Sequence, residues 1–314
     1  MKGNWKKAMK VETYIEKNIP SLEGKVILIT GANSGIGYEA SEIFASKKAT
    51  LIFACRNQKK AEAAKEKILL KYKDAKIHIL LYDQSSFQSI RHFVNEVTSN
   101  FPTIDVTVCN AGIYHPKEHS LTKDGFPLTI GTNYIGTYYL LMLLMPHLEK
   151  NKEGRVILVS SLTYHFHQNA PFNTLIEDEK KVSKNYAISK AWIVKLFLYY
   201  VHHSKIKILL MHPGVASTNI YSSKDTHFSK FFMSLAHLVL PLFTHSPKKA
   251  SLGIVLLAGK ENIPNGTFLG PRGLFGWSGY PHPIQVSKKV KKNVDLFYEY
   301  TKEIVLEKEK VEIC

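Results

Sequence analysis

Residues 25–37 read KVILITGANSGIG, an apolar β-branched run that stops in a glycine-rich turn, beyond which a helical pattern begins. Val26, Ile27, Leu28 and Ile29 make a run short enough for one strand and apolar enough to be buried on both faces of a sheet. Gly31, Gly35 and Gly37 then turn the chain into a helix expected from Ile36 to about Ser46. Glycine suits these places because a Cβ would oppose positive φ and hold the backbone away from a pyrophosphate lying on the helix N-terminus. The spacing is Gly-x-x-x-Gly-x-Gly after Thr30, not the commoner Gly-x-Gly-x-x-Gly, and a glycine triplet alone can be no more than a strand-to-helix turn. The remainder of the chain has to decide between the two.

The chain has 314 residues, 45% of them hydrophobic, a length that one sheet of about seven strands can use without splitting. No apolar run reaches the roughly 18 uninterrupted residues of a membrane-crossing helix. Residues 1–20, MKGNWKKAMKVETYIEKNIP, are basic and lack the apolar core and small-residue cleavage site of a signal peptide. A short amphipathic arm over 1–21 is therefore expected, with one domain over 22–314. Cys55, Cys109 and Cys314 have neither metal-ligand spacing nor an even count, which suits a reducing compartment without structural disulfides. The net charge of +16 raises nucleic-acid binding, but the lysines are dispersed, and no helix-turn-helix, zinc-finger or aromatic RNA-binding signature accompanies them. The charge reads as a solvated surface that also favours anionic cofactors or an acidic membrane face.

Residues 50–54 (TLIFA) make a second apolar strand, and Arg56 and Asn57 stand just past its end, the position at which a dinucleotide-binding sheet would select its cofactor. An NAD enzyme usually places an Asp or Glu about 20 residues beyond the glycines, to bind the ribose 2′-hydroxyl. Here Cys55 is neutral and Arg56 cationic, and a guanidinium can hold a 2′-phosphate through two parallel bonds, which favours NADP(H) over NAD. Arg56 as a solvated helix-start residue is the plainer alternative; Lys59 and Lys60 either reinforce the phosphate site or face water. A helix over 58–70 and a third strand over 76–81 lead to Asp83, on residues alone as much a turn-former as a ligand contact. A helix over 87–97 follows, and a fourth strand over 104–108 ends in Asn110-Ala111-Gly112. Asn133 sits in a long apolar helix, GTNYIGTYYLLMLLMPHLEK, buried within the chain or against a neighbouring copy; an Asn there is costly unless bonded.

A fifth strand over 155–160 closes on Ser160-Ser161. Tyr186 and Lys190, in YAISK, are four residues apart and share one helix face. Residues 206–211 form a sixth strand, broken by His212-Pro213-Gly214, in which Pro fixes φ, Gly permits an unusual one, and the lone His reads as structural. The segment 221–247 carries Phe228, Phe231, Phe232, Leu235, Leu238 and Val239 at helical spacing: a lid helix, a core or dimer helix, or a shallow membrane contact. A helix over 248–257, a strand-like 267–269 and the glycine-rich GPRGLFGWSGYPHP precede a Lys-rich surface helix over about 283–309, with Val290, Val294, Phe297 and Ile304 inward. No zinc-ligand set or nucleophilic triad competes; His165 and His167 make a weak metal pair, and no metal is expected.

Taken in order, TGANSGIG, Arg56, Asp83, NAG, Asn133, Ser161, YAISK and PGVAST resemble the short-chain dehydrogenase/reductase family over about residues 22–260. ACRN after the second strand and the lengthened 221–247 segment resemble its retinol-dehydrogenase-like branch; Cys109 stands where an Asn is often seen. The resemblance implies an α/β fold of Rossmann type, a doubly wound parallel sheet of about seven strands with helices on both faces. It implies a dinucleotide cradle of Gly31, Asn33, Ser34, Gly35, Ile36 and Gly37, with Arg56 and Asn57 at the ribose and Asp83 at the adenine. Asn110, Ala111 and Gly112 would lie along the cofactor, Pro213 and Gly214 beside the nicotinamide, and Thr218 on its carboxamide. Tyr186 would be the general acid and base of hydride transfer, aided by Lys190, both also touching the cofactor; Ser161 would bond the substrate oxygen and Asn133 a proton-relay water. The 221–247 insertion would cap the substrate pocket.

Tyr114, Tyr164, Phe166, Phe172 and the 228–239 segment suggest an apolar pocket for a lipophilic alcohol, aldehyde or ketone, retinoid- or steroid-like in character. Nucleic acid is not an expected partner, whereas peripheral membrane contact and a homo-oligomer both stay open, in the cytoplasm or on an intracellular membrane. The competing class is a dinucleotide-binding sensor or scaffold without turnover. A complete Asn-Ser-Tyr-Lys set opposes it, since a scaffold has no physical need for all four.

Overall fold

The structure, a computed structural model, describes residues 9–114, 121–172, 182–215 and 245–313. In chain order, α1 (Val11–Asn18) precedes β1 (Val26–Thr30), α2 (Gly35–Ser46), β2 (Thr50–Cys55), α3 (Gln58–Leu69), β3 (Lys76–Leu81), α4 (Phe87–Asn100) and β4 (Val106–Cys109). A π-helical turn (Gly131–Ile135) then opens α5 (Gly136–Leu148), followed by β5 (Arg155–Val159), a 3-10 turn (Leu162–Phe166), α6 (Val182–His203) and β6 (Lys207–Met211). The chain ends with α7 (Pro247–Gly259), β7 (Phe268–Pro271), β8 (Pro281–Pro283) and α8 (Val294–Ile313). Among the described residues eight strands form one sheet in the order β3-β2-β1-β4-β5-β6-β7-β8. β1 to β7 are parallel and β8 runs antiparallel to β7, with Leu269 opposite Pro283.

Successive strand side chains point to opposite faces, and in this sheet both sets are apolar. Leu28, Ile52, Leu80, Leu158 and Leu210 face α4, α5, α6 and α8. Ile27, Ile29, Leu51, Phe53 and Leu209 face α2, α3 and α7. A sheet with no polar face must be covered on both sides, which is why every parallel crossover here carries a helix or a long connection. The order reverses direction between β1 and β4, so the chain leaves their carboxyl ends toward opposite faces and opens a crevice there.

Strand and helix positions agree with the expected ones to within a few residues, and three differences have clear causes. The fourth strand starts at Val106 rather than 104 because the Asp105 carboxylate accepts from Val26 N–H at 2.9 Å and from Lys25 Nζ at 3.0 Å, anchoring the strand entry. The eighth strand, Pro-His-Pro, exceeds the expected number of about seven, since two prolines argue against any strand except an edge, which is where it lies. The last helix starts at Val294, not near 283. Before it, Val290 and Lys292 carbonyls accept from the buried Lys195 Nζ at 3.2 and 2.6 Å. As expected, α8 packs Phe297 inward, and it also buries Thr301 and Val305: the Tyr134 and Thr301 hydroxyls are 2.7 Å apart, and Tyr298 stacks on Tyr199. The apolar α5 is thus buried within the chain. The expected lid helix over 228–239 and Thr218 lie outside the described residues.

Candidate active site

The first turn of α2 is shaped by its glycines. Gly31 and Gly35 have φ of +70° and +56°, values that a side chain resists. Ser34, the N-cap, makes no side-chain capping bond, so first-turn N–H groups stay available to an anion. Gly37 serves packing instead, because a Cβ there would meet Gly31 O at 2.3 Å and Asn110 Nδ2 at 2.6 Å. It lets the helix sit against the turn and is not among the residues lining the cleft.

That cleft runs over the carboxyl ends of β1, β2, β4 and β5. Of the expected contacts, Gly31, Asn33, Ser34, Gly35 and Ile36 line it, as do Arg56 and Asp83, Asn110, Ala111 and Gly112, and Tyr186, Lys190 and Pro213. The shallow backbone of Gly31, Gly35 and Gly112 and the cation at Arg56 suit an elongated anionic ligand such as a dinucleotide. Asn57, Asn133, Ser161 and Gly214 are not among the lining residues. Asn57 instead caps α3, its Oδ1 accepting from Lys60 N–H at 2.9 Å. Asp83 lines the cleft and also forms a turn, accepting from Ser85 N–H at 3.0 Å and Ser85 Oγ at 2.6 Å. Gly214, at φ +74°, leaves room for Trp277 O, which a Cβ would meet at 2.4 Å.

The NAG turn is held from below by two side chains. Thr30 Oγ1 accepts from the N–H groups of Asn110 and Ala111 at 3.0 and 2.9 Å. Gln84, which sequence reasoning misses, donates from Nε2 to Thr132 O at 2.6 Å and reaches Ala111 O and Thr137 Oγ1 at 3.2 Å. Its only sequence signal is a polar residue between a strand end and a helix start. Asn133 is buried and fully engaged. Its Oδ1 accepts from Ile113 N–H at 2.8 Å, while Nδ2 donates to Ile113 O at 2.8 Å and Ser189 Oγ at 3.1 Å. This clamp, in the π-helical turn, answers the cost of burying an amide.

Tyr186 and Lys190 project from α6, one turn apart, into the same cleft. Lys190 Nζ lies 5.7 Å from the Tyr186 ring centroid and donates to Val159 O at 3.1 Å. Burial lowers its pKa from 10.5 to about 8. The two serines separate cleanly. Ser160 lines the cleft but donates its hydroxyl to Lys190 O at 2.8 Å. Ser161 Oγ accepts from Thr163 N–H at 3.3 Å and Thr163 Oγ1 at 3.0 Å, which leaves its own proton for another acceptor.

The expected aromatic pocket is mostly something else. Tyr164 is fully buried and Phe172 packs on Trp192 and Phe297 in the core, whereas Phe166 is exposed. Of these four described aromatics only Tyr114 adjoins the site, its ring 4.9 Å from that of Tyr186. His212 is buried with its pKa pushed down to about 4 by burial, and Nδ1 accepts from Gly214 N–H at 3.2 Å, a structural role as expected. No group of three or more His, Cys, Asp or Glu side chains that could hold a metal occurs among the described residues, and no described helix is long and apolar enough to cross a membrane.

Known proteins agree with this architecture. A family model described as short chain dehydrogenase matches residues 25–227. Retinol dehydrogenase 13 of Mus musculus is 31% identical over 251 residues, which are 78% of this chain and 74% of that protein. WW domain-containing oxidoreductase of Gallus gallus is 39% identical over 145 residues, 46% of this chain but 35% of that longer protein. Among solved structures, an uncharacterised protein from Mycobacterium paratuberculosis has a TM-score of 0.70 at 26% identity, over 92% of this chain and 96% of that one. Alcohol dehydrogenase from Thermococcus sibiricus, solved with 5-hydroxy-NADP, shares the fold at a TM-score of 0.58 and 19% identity, over 77% of this chain and 92% of that one. The chain accordingly belongs to the short-chain dehydrogenase/reductase family, within its retinol-dehydrogenase-like branch, and is an oxidoreductase acting on CH–OH groups.

Proposed function

We propose that this oxidoreductase uses NADP(H) to interconvert a lipophilic alcohol and its aldehyde or ketone, with Tyr186 as general acid and base. The observation that carries the reading is the pairing of a phenol and a buried ammonium in the cleft that begins at the glycine turn. A nicotinamide held in this cleft would supply a hydride to the carbonyl carbon, or accept one from the carbinol carbon. The chain's own share is the proton. In reduction Tyr186 Oη donates it to the carbonyl oxygen as the π bond opens; in oxidation the tyrosinate takes it from the hydroxyl. A free phenol has a pKa near 10, and the nearby Lys190 charge favours its anion, bringing proton exchange closer to neutrality. Ser161, with its hydroxyl proton uncommitted, would donate to the substrate oxygen. Asn133 clamps the 112–114 backbone and, in this reading, anchors the relay that returns a proton to Tyr186 through Lys190. The lipophilic substrate rests on the family branch. Peripheral membrane contact and a cytoplasmic location both fit it.

Arg56 separates NADP from NAD. Arg56 lines the cleft beside Cys55, and a guanidinium there would meet in NADP a 2′-phosphate that NAD lacks. Charge-assisted bonds of this kind contribute about 1.5–3 kcal/mol, so Arg56→Ala is expected to weaken NADPH binding about 10- to 150-fold and NADH by far less. Fluorescence titration of both nucleotides measures this; equal losses would take Arg56 out of the nucleotide site. Following NADPH absorbance against lipophilic aldehydes and ketones tests turnover itself, and a folded, NADPH-binding protein inert to the whole panel would instead be a sensor.

A further inference from the structure

We infer that Tyr114 is a positioning residue for Tyr186, a role that rests on the assignment of Tyr186 as the acid and base. The two rings meet with centroids 4.9 Å apart and planes at 79°, an edge-to-face contact. What makes it more than two neighbouring aromatics is the framework behind it. Tyr114 follows Ile113, whose N–H and C=O are both held by the Asn133 carboxamide at 2.8 Å. The same carboxamide donates to Ser189 Oγ at 3.1 Å, and Ser189 Oγ donates to Tyr186 O at 2.7 Å. A short chain of bonds therefore ties the backbone that presents Tyr114 to the backbone that presents Tyr186. Lys190 Nζ also stands over the Tyr186 ring, 5.7 Å from its centroid and itself fixed on Val159 O.

A ring with a second ring edge-to-face against it and a fixed cation near it loses freedom at χ1 and χ2. That matters because proton transfer needs the phenol within hydrogen-bond reach of the substrate oxygen, and small misplacements lower rate steeply. Tyr114 is half-buried, so truncating it leaves the sheet and the glycine turn untouched. The contact between the two residues is one of ring with ring.

The test compares Tyr114→Phe, Tyr114→Leu and Tyr114→Ala with the wild type and with Tyr186→Phe, reading kcat, KM, NADPH affinity and the pH profile of kcat. Tyr114→Ala and Tyr114→Leu are expected to lower kcat about tenfold and to broaden or shift the titrating limb, the scale set by one aromatic pair. NADPH affinity stays near wild type, and Tyr114→Phe returns kcat to within about twofold because the ring is kept. A wild-type kcat and pH profile in Tyr114→Ala overturns the inference, as does equal kcat in the Phe and Leu variants. If Tyr114→Ala no longer binds NADPH, the Phe and Leu pair alone decides. Failure of the underlying assignment looks different: there Tyr186→Phe would still turn over, whatever the Tyr114 variants do.

Discussion

Lys190 holds its charge where charges are costly. It is buried, donates to Val159 O, and has its pKa lowered by burial from 10.5 to about 8. The sign of the linkage follows from proton counts. Between about pH 8 and the unfolded value near 10.4, the folded chain has lost this proton and the unfolded chain has kept it, so stability rises with pH across that window. Below about pH 8 both states carry the charge and the folded one bears the desolvation penalty. Relative to Lys190→Met, the wild type is therefore expected to gain about 3 kcal/mol between pH 8 and pH 10.5, from roughly 2.5 pKa units at 1.36 kcal/mol each. Urea melts of the two proteins across that range measure it, and a constant difference would mean that Lys190 keeps an ordinary pKa. Lys190 and Tyr186 are legible in the sequence because a four-residue spacing fixes a shared helix face whatever surrounds it. Gln84 is not, since its role exists only where the β3 end, the NAG turn and the π-helical turn converge. Asn57 and Ser161 lie between: their positions are readable, their bonds to Lys60 and Thr163 are not.

Elements are most readable where both faces are buried. Whereas the edge strand β3 leaves Lys76, His78 and Leu81 exposed, β1, β2, β4, β5 and β6 announce themselves as apolar runs because a doubly covered strand tolerates little else. β8 and the start of α8 do not, the first because a proline-flanked edge strand has no apolar signature, the second because Lys195 sets where residues 290–292 go. Tyr164 and Phe172 suggest a pocket on composition alone, and their real partners come from other elements. The glycine turn also yields a contest of magnitudes. Alanine in a helix is favoured over glycine by about 1 kcal/mol. At position 37, however, its Cβ would stand 2.3 Å from Gly31 O and 2.6 Å from Asn110 Nδ2, the first a backbone atom that cannot step aside without moving the turn. Overpacking of this kind costs about 1–3 kcal/mol, so the clash wins. Gly37→Ala is expected to lower thermal stability and to weaken nucleotide binding together, by shifting α2 off its turn. A variant as stable as wild type, with unchanged NADPH affinity, would show that the turn yields freely.

At the scale of the whole molecule, the site exists because the strand order reverses. Residues 31–36, from the first crossover, and residues 186–190, from the helix between β5 and β6, are remote in sequence. They meet because β1, β4 and β5 lie side by side with their carboxyl ends on one edge. That convergence can be foreseen only through the family resemblance; spacing alone places Tyr186 and Lys190 on a helix, not beside a nucleotide cleft. The same topology buries α5 beneath α8 and packs α8 against α6. The measurement that bears most directly on the account is therefore the turnover of Tyr186→Phe, which removes one hydroxyl from that convergence and little else. With NADPH and a lipophilic aldehyde that the wild type reduces, the variant is expected to bind NADPH with near wild-type affinity and to show no measurable reduction. Reduction at the wild-type rate by the variant would contradict the account.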